Sequence, residues 1–414
     1  MGIDDIVIGS GLAALGAVLG LSAERDRRIL VLTGPPDGAH LHFDERRVAP
    51  CARLGPGGLG CDWHGVIPLG LRPLFKASTP EAFKTFFEGF YPHAALAGRL
   101  GGDWVFVPWR PIRPYPRLMD LSVRSEGQLS LVPETAVDVR CVDGGVEVHT
   151  AQRTHRARRV WLAAGAMRTP PLLARSLAPR AVRDRASDHV FCYLGQLQPE
   201  RAPAVARSRD GILLPVHVDA AQTALYSTRP AAFDFRRLDH GIELRALFGL
   251  PTGSAVAKIA RRSSLGLLVE AFYNRFGLFG SVGLHSAYAQ LLVSDAYRYS
   301  AGSRPLQADL PAIQTAMDRA RRHQPFANLT PSRQQQAYVP GIHLHHTVEP
   351  AALRAAGIDD PDSPVQVVDA STLVDIGPEH HSFKMMLSAY ERACLSGSLG
   401  PARLPMDRVA TLTS

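Results

Sequence analysis

Asp5-Ile6-Val7-Ile8-Gly9-Ser10-Gly11-Leu12-Ala13-Ala14-Leu15-Gly16-Ala17-Val18-Leu19 is the stretch that decides the fold. An apolar strand runs into a Gly-x-Gly-x-x-Ala turn and then into a helix of small residues. That order brings bare backbone N–H groups and a helix N-terminus up to a pyrophosphate. Gly9 permits the tight turn, Gly11 has no Cβ to obstruct a phosphate, and Ala14, Gly16 and Gly20 let the helix lie close to the sheet. Ile29-Leu30-Val31-Leu32 is the next strand, so the opening reads as a βαβ unit that binds a dinucleotide. The acid that normally ends this second strand and holds the ribose is replaced by Thr33, with Asp37 close behind.

Composition frames the rest. A chain of 414 residues, 46% hydrophobic, can bury a large core and divides into two or three domain-sized units. No apolar run is long enough for a membrane span, and Asp4 and Asp5 stand where a secretory leader would be basic, so a cytoplasmic, membrane-free protein is expected. Five scattered cysteines (Cys51, Cys61, Cys141, Cys192, Cys394) without a Cys-x-x-Cys pair indicate neither a disulfide framework nor a zinc site. The net charge of +8 sits largely in short runs such as Arg156-Ala157-Arg158-Arg159. No nucleic-acid motif accompanies it, so no nucleic-acid partner is expected.

Leu54-Gly55-Pro56-Gly57-Gly58-Leu59-Gly60-Cys61-Asp62-Trp63-His64-Gly65 is too glycine-rich for helix or strand and allows backbone to approach a flat ligand, with Trp63 and His64 beside it. Pro80 to Tyr91 reads as a helix capped by Thr79, its phenylalanines forming a core stripe. Leu129–Pro133 and Glu134–Val139 are expected to join Gly145–Thr150 in an antiparallel meander across the Asp143-Gly144 turn. Strand-like runs at 212–218 and 242–248 and a helix over Pro311 to Arg322 follow. Val160-Trp161-Leu162-Ala163-Ala164-Gly165-Ala166-Met167-Arg168-Thr169-Pro170 is a buried strand with a tip of small residues, then a helix start.

Together with the opening turn, this last segment resembles the flavin-dependent glucose-methanol-choline (GMC) oxidoreductases, whose corresponding stretch reads Ala-Ala-Gly-Ala-x-x-Ser/Thr-Pro-x-Leu-Leu. Asp188-His189 resembles the family's Asp-His element, Val367-Val368-Asp369-Ala370-Ser371 its Val-Val-Asp-Ala/Gly-Ser, and Tyr390-Glu391-Arg392 the end of its closing helix. The resemblance implies an α/β fold: a Rossmann-like FAD-binding domain (1–75, 120–190 and 341–414) and a second α+β substrate domain on an antiparallel sheet (76–119 and 191–340). It also implies FAD as cofactor, held by Gly9, Gly11, Leu12, Ala13, Ala14, Thr33, Gly58, Gly60, His64, Val137, Ala164, Gly165, Asp369, Ala370, His381, Ser382 and Phe383. Noncovalent attachment is expected, because His64 is placed differently from the histidine that carries flavin in some relatives.

The expected reaction is oxidation of a hydroxyl group on a small molecule, electrons passing on to oxygen or a redox partner. Such chemistry needs a base for the hydroxyl proton, and histidine suits it near neutral pH. The family's catalytic histidine maps onto His343, since Thr347 then matches its threonine. The second catalytic position maps onto His381, by its spacing to Glu391. His345 is a rival for the first role because His346 replaces a family glycine, and Ser382 replaces a proline. Metal ligation by these histidines, a GMC-like lyase reaction, and nucleotide binding without redox activity are the competing readings.

Overall fold

A computed structural model describes residues 2–24, 26–35, 40–43, 50–61, 63, 65–70, 79–94, 96, 98–197, 206–219, 223–228, 285–298, 306–322, 329–331, 338–341, 343–374 and 376–396. The expected strand at 242–248, and Asp37 and His64, lie outside these residues.

Strand Ile3–Ile8 is central to the first sheet. It runs parallel to Ile29–Leu32 on one side and to Thr154–Leu162 on the other. Its second half, Ile6–Ile8, is an apolar run buried on both faces, with Ile6 and Val7 fully buried. Leu129–Val132 pairs parallel with Ile29–Leu32 at the sheet's edge. This corrects the meander expected there. Leu129–Val132 leaves it for the parallel edge, and Ala136–Val142, Gly145–Thr150 and Thr154–Leu162 form it instead. Thr154–Leu162 serves two purposes along its length. Its first half alternates, with Arg156 and Arg158 exposed and His155 and Ala157 buried, and pairs antiparallel with Gly145–Thr150. Its second half is fully buried and pairs parallel with both Ile3–Ile8 and Val365–Val367.

The second sheet is antiparallel, in the order Leu329–Pro331, Arg185–Leu197, His285–Arg298, Thr223–Thr228, Gly211–Val218, Trp104–Pro108, Ile67–Pro68. Helix Leu310–Arg322 covers one of its faces through Ile313, Met317 and Ala320. Helix Pro80–Glu88 begins as expected, Thr79 Oγ1 accepting from the Ala82 N–H at 3.1 Å.

Helix Leu12–Leu21 has all ten residues buried, so it is apolar all round rather than striped. The closing helix Ser382–Leu395 crosses it at Gly16 and Gly20. A Cβ at Gly16 would stand 2.1 Å from the Met386 carbonyl oxygen, and one at Gly20 2.5 Å from that of Tyr390. On the other side of the closing helix, Phe383 and Tyr390 meet Phe86 at ring distances of 5.5 and 5.0 Å. The glycines therefore set how deeply the C-terminal segment sits. Gly16→Val is expected to cost about 1 to 3 kcal/mol through overpacking against backbone, read as a lowered midpoint in urea unfolding; an unchanged midpoint would mean the two helices are not locked there.

Candidate active site

Strand Ile3–Ile8 ends in a turn that only glycine can make here. Gly9 has φ +120°, and a Cβ on it would lie 2.2 Å from the Ala163 carbonyl oxygen. Gly11 is the N-cap of helix Leu12–Leu21 and brings no side-chain cap. Its first-turn N–H groups are thus left for a ligand, and Gly11, Leu12 and Ala13 line a cavity of about 410 Å³. Ser10 Oγ accepts from the Gly57 N–H at 2.8 Å, which draws the glycine-rich loop over the turn. The Arg113 guanidinium fastens that loop, donating to the carbonyls of Cys61 and Trp63, each at 2.8 Å.

The same cavity is lined by Thr33, Gly34, Pro35 and Glu134–Ala136, by Gly58, Gly60 and Trp63, by Ala163–Arg168, and by His343, Asp369, Ala370, His381, Ser382 and Met385. Of the expected cofactor residues, Ala14, Val137 and Phe383 do not line it. Ala14 and Phe383 are fully buried in the core beneath it. The Thr33 hydroxyl donates to the carbonyls of Gly34 and Val132, 3.1 and 3.3 Å away. Nearby, the Glu134 carboxylate takes Arg153, His155 and Thr150. These hydrogen bonds, the Arg153 one foremost, hold its pKa down at about 2. At Gly165, φ is +84° and a Cβ would meet nothing within 4 Å, so the tip after Leu162 turns open space toward the cavity.

The histidines converge. His343 and His381 both line the cavity, with ring centroids 5.2 Å apart. His345 is fully buried behind them, its ring 5.5 Å from that of His381. His189, which the sequence reading left without a role, packs 5.6 Å from His343, 5.7 Å from His345 and 5.5 Å from His381. His380 stands 5.2 Å from His343. Backbone contacts aim this group: Asp188 Oδ1 accepts from the N–H of both His189 and His343, each at 2.8 Å.

Two tautomers follow from the carbonyl partners, since a carbonyl only accepts. His189 Nε2–H donates to Gly377 O at 2.9 Å, and His345 Nδ1–H donates to His343 O at 2.8 Å. Burial lowers the pKa of His189 to about 4 and that of His345 to about 3. Burial, then the neighbouring histidines, carries His381 well below the usual range. All three are neutral at pH 7. Among the described residues no group of three or more His, Cys, Asp or Glu side chains is arranged to hold a metal ion.

Adjacency to Asp188 in the Asp-His element was the signal for His189. Arg113 and His380 carried no such mark.

No family model matches the chain, and no curated protein matches it in sequence. Among solved structures it is similar to pyridoxine 4-oxidase from Mesorbium loti, with TM-score 0.51 and 14% identity over 95% of this chain and 98% of that one. It is similar also to an FAD-dependent oxidoreductase from Chaetomium thermophilum, with TM-score 0.51 and 11% identity over 95% and 99% of the two chains. The chain has the fold of these two proteins. It is the fold that the GMC resemblance implied: a Rossmann-like parallel sheet joined to a second, antiparallel one.

The neutral histidines make stability depend on pH with a definite sign. An unfolded histidine titrates near 6.5, whereas His189 and His345 stay unprotonated in the folded chain down to about 4 and 3. The unfolded state therefore binds more protons below about pH 6.5, and stability is full above that value and lost as pH falls toward 4. Thermal unfolding between pH 7.5 and pH 4.5 should show Tm falling on the acid side, and less steeply in His189→Phe. A slope unaffected by that substitution would mean that His189 is already charged in the fold.

Proposed function

We propose that this chain is an FAD-dependent oxidoreductase that oxidises a hydroxyl group on a small molecule, with His343 as the base. The observation that carries the proposal is that one cavity joins the bare helix N-terminus at Gly11–Ala13 to the paired rings of His343 and His381. A dinucleotide cofactor has the same plan, an anionic diphosphate in the middle and a reactive ring at one end. The fold shared with an FAD-dependent oxidoreductase supports the same reading.

The lining fits FAD on its own terms. Gly9, Gly11, Leu12 and Ala13 would hold the diphosphate, where backbone N–H groups and the helix dipole favour negative charge. Thr33 and Glu134–Ala136 would take the adenosine portion. Gly58, Gly60, Ala164, Gly165, Asp369, Ala370 and Ser382 would surround the flavin, with the open approach at Gly165 leaving room for a flat ring. Val137 and Phe383 would support these contacts from behind. Bound FAD supplies the acceptor for hydride.

The chain's own work is proton handling and orientation. His343 takes the hydroxyl proton on a ring nitrogen as the C–H hydride leaves, and a carbonyl product forms. His381 hydrogen-bonds the same oxygen and keeps it aligned. Its own protonation is suppressed by burial and by the rings of His343, His345 and His189, so it does not compete for the proton. His345 is turned away: its Nδ1–H is committed to the His343 carbonyl, and it braces the segment that carries the base.

These roles predict unequal losses. His343→Ala should slow anaerobic flavin reduction by substrate by about 10²- to 10⁴-fold, the range of general base catalysis, and His381→Asn should slow it less, with FAD content unchanged in both. His345→Ala should leave reduction close to the wild-type rate. Abolition by His345→Ala with His343→Ala intact would move the base by two positions; full activity in all three variants would end the alcohol-oxidation mechanism.

A further inference from the structure

The face of the antiparallel sheet opposite helix Leu310–Arg322 carries a group that the proposed chemistry does not use. Cross-strand partners in an antiparallel sheet share a face. Gln290 is paired with Phe191 on one neighbouring strand and with Ala224 on the other, while Tyr288 is paired with Tyr226. The two tyrosine rings stack at 5.2 Å with an interplanar angle of 10°. Phe191 and Tyr226 lie 5.6 and 5.7 Å from the ring of His380, which in turn meets His343 at 5.2 Å. This face therefore adjoins the catalytic histidines. The residues around Gln290 on it form an apolar cluster.

Gln290 is fully buried there, and neither its amide nitrogen nor its amide oxygen has a hydrogen-bond partner among the described residues. A buried polar group left unsatisfied forfeits its hydration without a replacement bond, and leucine or methionine would fill the same space without that cost. Buried groups of this kind call for a partner from outside the chain or a role in function. A primary amide offers a donor and an acceptor side by side. It pairs best with a group presenting the same two in reverse, such as a carboxamide or a lactam edge. The stacked tyrosines and Phe191 beside it suit a flat ring.

We propose that Gln290 is a specificity-determining residue. Its amide recognises a planar substrate that carries adjacent hydrogen-bond donor and acceptor atoms, and so presents the substrate's hydroxyl to His343 and His381. This rests on the oxidoreductase reading above, because the substrate it selects is the one oxidised there.

Binding to the FAD-loaded protein tests it without turnover. Benzamide and acetophenone have nearly the same shape, but only benzamide has N–H donors beside its carbonyl. Thermal shift titrations of the wild type should show benzamide binding at least about tenfold more tightly, the worth of one net hydrogen bond. Gln290→Leu should bring the two ligands to equal affinity and should melt above the wild type when no ligand is present. Equal affinities in the wild type would overturn the proposal, as would a preference that survives in Gln290→Leu or a variant that melts lower than the wild type. The wild-type comparison decides even if the variant does not fold, and Gln290→Met then serves as the second variant. Failure of every alcohol to reduce the flavin is seen in a separate assay and counts against the oxidoreductase reading, whatever benzamide does.

Discussion

The site depends on one buried carboxylate. Asp369 Oδ2 accepts from the Gly165 N–H at 2.7 Å and the Thr169 hydroxyl at 2.5 Å, while Oδ1 accepts from the Ser371 N–H at 2.9 Å. Burial pushes its pKa up, and these hydrogen bonds oppose the rise. Through them three segments meet: the tip after Leu162, the start of helix Thr169–Ser176, and the turn after Val367. The histidine-bearing segment hangs from the same joint, since His346 N–H donates to Ala370 O and the N–H groups of Thr347 and Val348 donate to Ser371 O. Thr347 Oγ1 closes the ring by donating to Ala166 O at 2.7 Å. The Gly9–Gly11 turn and the His343–His381 pair are thereby held in one frame rather than on independent loops.

Charge explains why the imidazoles can crowd. Four rings, those of His189, His343, His345 and His381, five of whose pairs lie 5.2 to 5.7 Å apart, would repel strongly if protonated. Desolvation keeps His189, His345 and His381 neutral. Neutral imidazoles pack as small aromatic rings without that repulsion. The Asp188 carboxylate meets the cluster through Oδ1, which accepts from the backbone N–H groups of His189 and His343. It fixes the position of both segments.

Local chemistry made the nucleotide half legible. Gly9, Gly11 and the Ala163–Ala166 tip are demanded by backbone approach, and such demands are written in adjacent residues. The same holds for the Thr79 cap and for the pairing across Asp143-Gly144. Leu129–Val132 was misassigned because its pattern suits either sheet edge, and only register with Ile29–Leu32 decides between them. Arg113 reaches the glycine-rich loop from far along the chain, and Gln290 acquires meaning only through the absence of a partner. Neither property exists below the level of tertiary structure. In the histidine pair, residue type and register nominated His343, His345 and His381 alike. Cavity lining then separates the first and third from the second.

The central claim is that this cavity holds FAD noncovalently, and the flavin content of the purified protein tests it most directly. The account requires a yellow protein with FAD approaching one per chain, released entirely to the supernatant on denaturation, and a folded but colourless Gly11→Glu variant. A wild-type chain that neither carries FAD nor takes it up would contradict the account at its root. Flavin that stays with the precipitated polypeptide would contradict the noncovalent attachment.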